Sequence, residues 1–290
     1  MKANKLALLK NPENTMKKIL TFLLIAFLST NLTFAVDKYS VEYLQGKNHF
    51  SITKGIAEYT VKKAIKKALK KETGTNFDIN FEGYTVSSIK RGIFKSIEIS
   101  GKDVKVDNIF IPYVHLKSLD DYNSIDYTKN PIEFRCDMTY AYDILLDDEA
   151  INTALKESDY NKILTKVNKI ASPFFVIKNV RTKIVDNKLY IITDYNLPIA
   201  ITKDRSFVAQ SDFEVVNGII KAKNVSIDTS YGNLGLNKVA NLINYLNPLE
   251  FTLKILNEEK QKTTIENINI VDNKVKVDGK IYVKATEANK

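Results

Sequence analysis

From Ile132 to Ile144 apolar and polar residues change places at almost every step, and this alternation constrains the fold more than any other feature of the chain. Ile132, Phe134, Cys136, Met138, Tyr140, Tyr142 and Ile144 share one side, and Glu133, Arg135, Asp137, Thr139, Ala141 and Asp143 the other. A period of two is the mark of a strand with one face buried and one face wet. At about 3.3 Å per residue such a strand extends roughly 40 Å, well beyond the usual five or six residues. It must therefore curl around something or run along an elongated body.

Before this strand the period is helical. Over Ile52–Glu72, Ala57, Val61, Ala64, Ile65, Ala68 and Leu69 fall on one side and Lys62, Lys63, Lys66, Lys67, Lys70 and Lys71 on the other, with Gly74 as a stop. After it the period changes to two. Ile93–Ile99 and Val104–Val106 flank Gly101, and Asp107-Asn108 precedes Ile109–Leu116, the pattern of successive antiparallel hairpins. Two helices are expected over Asp148–Lys156 and Asp159–Ala171. Strands are then expected at Phe174–Val180, Lys183–Val185 and Leu189–Ile201, with an Asp186-Asn187 turn between the last two. Phe207–Val216 and Ile219–Ile227 join at Asn217-Gly218, the strongest hairpin signal present. A helix over Asn237–Leu246 should end before Pro248, and strands Leu249–Leu256, Thr264–Val271 and Lys274–Val283 close the chain. Ile184–Leu189 recurs as Ile270–Val275, each with an Asp-Asn turn; duplication and simple hairpin likeness both account for this.

The N-terminus addresses the compartment. Lys17 and Lys18 precede an apolar run from Ile19 to Leu28, and Thr33-Phe34-Ala35 offers a small-x-small cleavage site. Met16–Ala35 therefore reads as a secretory signal peptide cleaved after Ala35, with Met16 as the start and residues 1–15 as an upstream extension. The alternative is an uncleaved anchor over residues 19–36; the shortness of the purely apolar run favours cleavage. Residues 36–50 then form a short lead-in, 51–285 a single domain and 286–290 a tail. The formal charge of +9 owes much to Lys2, Lys5, Lys10, Lys17 and Lys18. The remaining lysines alternate with apolar residues instead of forming runs, which argues against a nucleic-acid partner. With one cysteine, Cys136, no intrachain disulfide is available, and the core must carry stability.

Catalytic motifs are missing from the sequence. No HExxH, paired CxxC, GxSxG or GxxxxGK[ST] occurs, and only His49 and His115 offer imidazoles. His115, between Val114 and Leu116, reads as a satisfied surface or core histidine. The pairs Asp120-Asp121 and Asp147-Asp148 suit turns and helix caps, and Cys136 suits a small buried hydrophobe. Neither a catalytic set, a metal nor a cofactor is expected.

The lysine helix has two readings: a surface for anionic membranes, or a core helix kept soluble by charge. Its Ala-rich stripe favours packing on a sheet, although Lys62, Lys66 and Lys70 repel at i,i+4 spacing and would suit a polyanion. Lys274, Lys276, Lys280 and Lys284 form a second row that would join the helix in one positive surface.

The order of an amphipathic helix, then Gly92-Ile93-Phe94-Lys95-Ser96-Ile97-Glu98-Ile99-Ser100-Gly101-Lys102-Asp103-Val104, then Ile109 to Leu116, resembles the LmeA-like phospholipid-binding family. A long strand entering a helix at Leu145–Leu155 and a closing Ile268–Val283 hairpin with Asp278-Gly279 add to the resemblance, which covers about residues 50–284. It implies an exported bacterial phospholipid-binding protein with a fold similar to tubular lipid-binding domains. The fold expected is α+β: a long, strongly twisted antiparallel sheet wrapped around the long N-terminal amphipathic helix, with two or three further helices. The function expected is non-enzymatic binding or transport of phospholipid or a related amphiphile in the cell envelope, with phospholipid and an anionic membrane surface as partners. Phe134, Met138, Tyr140, Phe174, Phe175, Ile191, Tyr195, Phe207 and Phe213 are the expected lipid-lining residues, and Lys62, Lys66 and Lys70 the headgroup contacts. A structural or adaptor protein with a closed core is the competing reading. An envelope enzyme would need two acids facing one cleft, and the sequence names no such pair.

Overall fold

Local chemistry sets both ends of the first helix, α1 (Ile52–Thr73). The Ser51 hydroxyl accepts a hydrogen bond from the Lys54 N–H at 3.1 Å, and Gly74, at φ 71°, returns its N–H to the Lys70 carbonyl. These are an N-cap and a left-handed C-terminal stop. The computed structural model describes residue 44 and residues 51–106, 108–129, 133–156, 158–171, 175–197, 205–228, 244–254 and 261–286. The signal segment 16–35, His49, Asp107, Ile132, Phe174, residues 198–201 and the expected helix over 237–243 lie outside them.

After α1 come β1 (Phe77–Glu82), α2 (Val86–Lys90), β2 (Ile93–Phe94), β3 (Ser96–Val106), β4 (Ile109–Ser118), β5 (Asn123–Asp126), β6 (Glu133–Phe134) and β7 (Met138–Leu146). Helices α3 (Asp148–Ala154) and α4 (Ser158–Ala171) lead into β8 (Val176–Val185), β9 (Lys188–Asn196), β10 (Arg205–Val216) and β11 (Ile219–Asp228). Helix α5 (Pro248–Lys254), β12 (Gln261–Val271) and β13 (Lys274–Val283) follow. The class is α+β with antiparallel pairing. The described residues form three sheets where one was expected: β1-β3-β4-β7-β13-β12, β11-β10-β9-β8 and the small β2-β5-β6. Four further helices follow α1 among the described residues, α2 and α5 being the ones the sequence pattern did not indicate.

Three hairpin turns fall where the dipeptides placed them. Asp186 and Asn187 (φ 52° and 56°), Asn217 and Gly218 (55° and 75°), and Asp272 and Asn273 (51° and 54°) all have positive φ at both central residues, as the primed hairpin turns require. The two Asp-Asn turns also meet in space. Each asparagine N–H donates to the side-chain Oδ1 of the other, both at 2.9 Å, so the repeated segments clasp the four-stranded sheet to the six-stranded one.

Four expectations are corrected. The strand over 132–144 is not continuous, because β6 belongs to the small sheet and β7 to the large one. Between them, Asp137 turns out of the ladder to accept hydrogen bonds from the Ala285 N–H at 2.7 Å and the Tyr282 hydroxyl. The alternation survives the break: Met138, Tyr140, Tyr142, Ile144 and Leu146 are all buried. Ile93–Ile99 is likewise divided at Lys95 into β2 and β3. Gly101 is not a turn but lies inside β3, where an added Cβ would sit 2.6 Å from the Phe77 ring; the missing side chain admits that ring. The expected strand Leu249–Leu256 is instead helix α5, with residues 255–256 outside the described set. Asn247 caps it, its Oδ1 accepting from the N–H groups of Leu249 (3.1 Å) and Glu250 (3.4 Å), and Pro248 takes the first helical position. Proline there loses no hydrogen bond, so it can open α5, while the helical residues 244–245 stop short of it, as expected for the end of the preceding helix.

Both outer strands of the four-stranded sheet are covered by asparagine amides. On β8, Asn152 receives the Thr182 N–H (2.6 Å) and donates to its carbonyl (2.9 Å), and Asn168 does the same for Ile177 (2.8 Å each). On β11, Asn244 accepts from the Ala222 N–H (2.8 Å) and Asn247 donates to the Ile220 carbonyl (2.9 Å). An amide offers a backbone-like donor and acceptor, so these side chains satisfy groups that would otherwise attract another chain. One hydrophobic cluster unites the inner faces of the two large sheets with α1, α3, α4 and α5, including Ile65, Ile144, Ile151, Leu164, Ile191 and Leu249.

Candidate functional site

The expected lining residues fall into two groups on different sheets. Met138 and Tyr140 stand on the inner face of β7, both buried, with the Tyr140 hydroxyl 3.6 Å from the Met138 sulfur. Phe134 sits half-buried on β6. On the four-stranded sheet, Phe175, Tyr195 and Phe207 form a row with ring centroids 6.3 Å and 5.9 Å apart. Ile191, 1% exposed, lies on the same face of β9. Phe213 continues that face along β10 past the last β9 pair, Ser211 with Leu189, and is opposite Ala222 of β11. Among the nominated residues that are described, Phe134, Phe175 and Phe213 keep exposed surface, while Met138, Tyr140, Ile191, Tyr195 and Phe207 are buried.

Half-buried apolar side chains gather at the edges of the two large sheets. On β11 these are Val225 and Ile227, on β10 Phe213, and on β12 Ile265, Ile268 and Ile270. The equivalent inward positions of the neighbouring β13, Val275, Val277, Ile281 and Val283, are buried. Strand β12 is the edge of the six-stranded sheet and runs beside β10 and β11. An edge strand has a neighbour on one side only, so its inward side chains keep one open flank. Phe213 is one of the expected lining residues; the sequence marks the other five only as ordinary strand alternation, since pairing partners are not written in it.

The headgroup lysines differ among themselves. Lys62 donates to Asn80 Oδ1 at 3.3 Å, and Lys66 lies 3.9 Å from Asp78 Oδ1, so both lean toward β1. Lys70 is exposed in the last turn of α1. The row on β13 is partly neutralised: Lys276 pairs with Asp143 at 3.3 Å and Lys280 with Glu266 at 2.6 Å.

His115 lies on the outer face of the six-stranded sheet between Glu98 (Nε2 to Oε1, 2.9 Å) and Asp143 (Nδ1 to Oδ2, 3.2 Å). Glu98, His115, Asp143 and Lys276 thus form a polar row across β3, β4, β7 and β13. Both ring nitrogens have carboxylate partners, which suits a structural role on a wet face. Asp120 Oδ2 accepts from the Thr139 N–H at 2.6 Å, and Asp147 caps α3 through the Ala150 N–H at 2.8 Å. Those acids serve the backbone. Cys136 is half-buried; its sulfur accepts from the Ser124 N–H at 3.2 Å, and burial pushes the thiol above its ordinary range. Asp126 is held below the usual carboxylate range: burial opposes this, but hydrogen bonds from Thr128 and Arg135 outweigh it. Burial raises Tyr140 and Tyr142 far above the normal phenol range, so both stay neutral. Among the described residues no group of three His, Cys, Asp or Glu is arranged for a metal, and no helix is long and apolar enough to cross a membrane.

No family model, curated protein or solved structure matches the chain.

Proposed function

We propose that this domain binds a phospholipid or related amphiphile without catalysing a reaction, with acyl chains lying along the seam where β10 and β11 run beside β12. The observation that carries this reading is the half-burial of Phe213, Val225, Ile227, Ile265, Ile268 and Ile270 on inward positions next to a sealed β13. Each methylene taken from water there contributes about 0.8 kcal/mol, so two chains supply ample affinity without a special polar site. The resemblance of residues 50–284 to the LmeA-like family supports the same reading. It brings with it a sheet wrapped around α1, export through the segment 16–35, and a place in the bacterial cell envelope.

A filled-core structural or adaptor protein is the second reading, favoured by the complete burial of Met138 and Ile191. Native mass spectrometry and lipid extraction of the purified chain separate the two. A stoichiometric phospholipid adduct supports the cargo reading. A species of bare protein mass that takes up no lipid from detergent-free loading refutes it.

A further inference from the structure

Along the outer side of α1 the exposed residues form one continuous stripe. Ile52, Ile56 and Tyr59 are 76%, 61% and 64% exposed, and at 100° per residue they fall in line with Lys63, Lys67 and Lys70, all exposed. The packed stripe, which includes Ile65 and Leu69, lies on the opposite side. The two acids of α1 are off the outer stripe. Glu58 is partly buried and accepts the Gly83 N–H at 2.9 Å beside Lys54, and Glu72, exposed in the last turn, points away from the stripe by the same angular count. Three large apolar side chains stand exposed and belong to neither hydrophobic cluster of the described residues, and three lysines next to them, unopposed among the described residues, specify the charge of what covers them.

We infer that this stripe docks on an anionic phospholipid bilayer, with Ile52, Ile56 and Tyr59 entering the headgroup boundary and Lys63, Lys67 and Lys70 meeting phosphates. Charge complementarity selects an anionic surface, and the mixture of aliphatic, aromatic and basic residues along one helical line suits the interfacial plane of a membrane. The inference deepens the lipid-binding reading by naming the face that approaches the membrane. It also shifts the basic contact from Lys62 and Lys66, which lean on β1, to Lys63, Lys67 and Lys70.

The chain contains no tryptophan, so Tyr59→Trp in the full chain places a single, selectively excitable indole on the stripe. With vesicles of phosphatidylcholine and phosphatidylglycerol at low salt, its emission should shift to shorter wavelength and be quenched by brominated acyl chains. Vesicles of phosphatidylcholine alone should leave it unchanged. Replacing Lys63, Lys67 and Lys70 by Gln should weaken partitioning about a hundredfold, at roughly fivefold per lysine near an anionic surface. Ile52→Ser with Ile56→Ser should abolish the shift. Three results overturn the inference: sedimentation with vesicles while the introduced indole stays in water, as an anchor over residues 19–36 would produce; a shift that ignores lipid charge; or an indole already shielded from iodide without lipid, by the chain's own N-terminal segment or by a second copy. Vesicle docking without an extractable lipid adduct would refute the cargo reading alone, and an adduct without docking would refute this inference alone.

Discussion

Gly279 offers the sharpest test of the packing described above. It lies in β13 between Tyr142 of β7 and Ile265 of β12, beside the irregularity at Ile265 and Asn267. A Cβ added there would stand 2.0 Å from the Thr264 carbonyl oxygen and 2.9 Å from the Tyr142 hydroxyl. Real side-chain carbons stay at least 3.0 Å from such atoms, so Gly279→Ala must push the β12 backbone aside by about an ångström. Overpacking of this kind costs about 1–3 kcal/mol. Displacing Thr264 also removes the hydrogen bond that its carbonyl accepts from Tyr142, worth about 1 kcal/mol. The sum, about 2–4 kcal/mol, lowers Tm by roughly 5–15 °C for a domain of this size. Thermal unfolding followed by circular dichroism measures it, with Gly55→Ala as the internal comparison. Gly55 lies in α1 with nothing within 4 Å of the added carbon, so that change should stabilise by about 0.5–1 kcal/mol. If Gly279→Ala melts within a degree or two of the parent, or if both variants move in the same direction, the assignment of β12 and β13 as tightly packed neighbours is wrong.

Alkaline pH should destabilise the domain through Tyr140, Tyr142 and Tyr160. Burial raises each phenol well above its ordinary value, so the protonated form is favoured by folding. The contribution is complete below about pH 10, the unfolded value, and is lost as pH rises beyond it. Tyrosinate absorbance from these three should therefore appear together with loss of the circular dichroism signal; their ionisation in a still-folded chain would contradict it. Asn247→Ala should cost about 2–3 kcal/mol in urea unfolding, because it removes the cap of α5 and leaves the buried Ile220 carbonyl without its donor. Asn247→Asp keeps the capping oxygen and should recover roughly half of that loss; full recovery would show that the tie to β11 contributes nothing.

How much of this was legible in the sequence depends on how far each decision reaches along the chain. The described lining candidates pack in or against the core, yet Met138 and Tyr140 belong to one sheet, and the Phe175, Tyr195 and Phe207 row lies at the other. The half-buried residues of β11 and β12 were not singled out, because an edge strand and a central strand share the same alternation. The lysines of α1 were readable as a basic face. Which of them lean on Asp78 and Asn80, and that Ile52, Ile56 and Tyr59 stand exposed beside the others, follows only from where β1 lies.

By itself the sequence determined the features whose energy is settled within a few residues. Ser51 and Gly74 bound α1 because a cap and a left-handed stop are local hydrogen-bond problems, and the three hairpins turn where Asn, Asp and Gly tolerate positive φ. Strand faces followed from a period of two. Only the tertiary structure decided that the alternating run breaks at Asp137, that Gly101 makes room for a neighbour instead of a turn, that Gly279 makes room for β12, and that four asparagines cover the free edges of β8 and β11. In each of those cases the deciding atom belongs to a segment distant in sequence, such as Ala285 for Asp137, Phe77 for Gly101, Thr264 for Gly279 and Ile220 for Asn247, and a residue's own pattern carries no information about which distant partner will reach it.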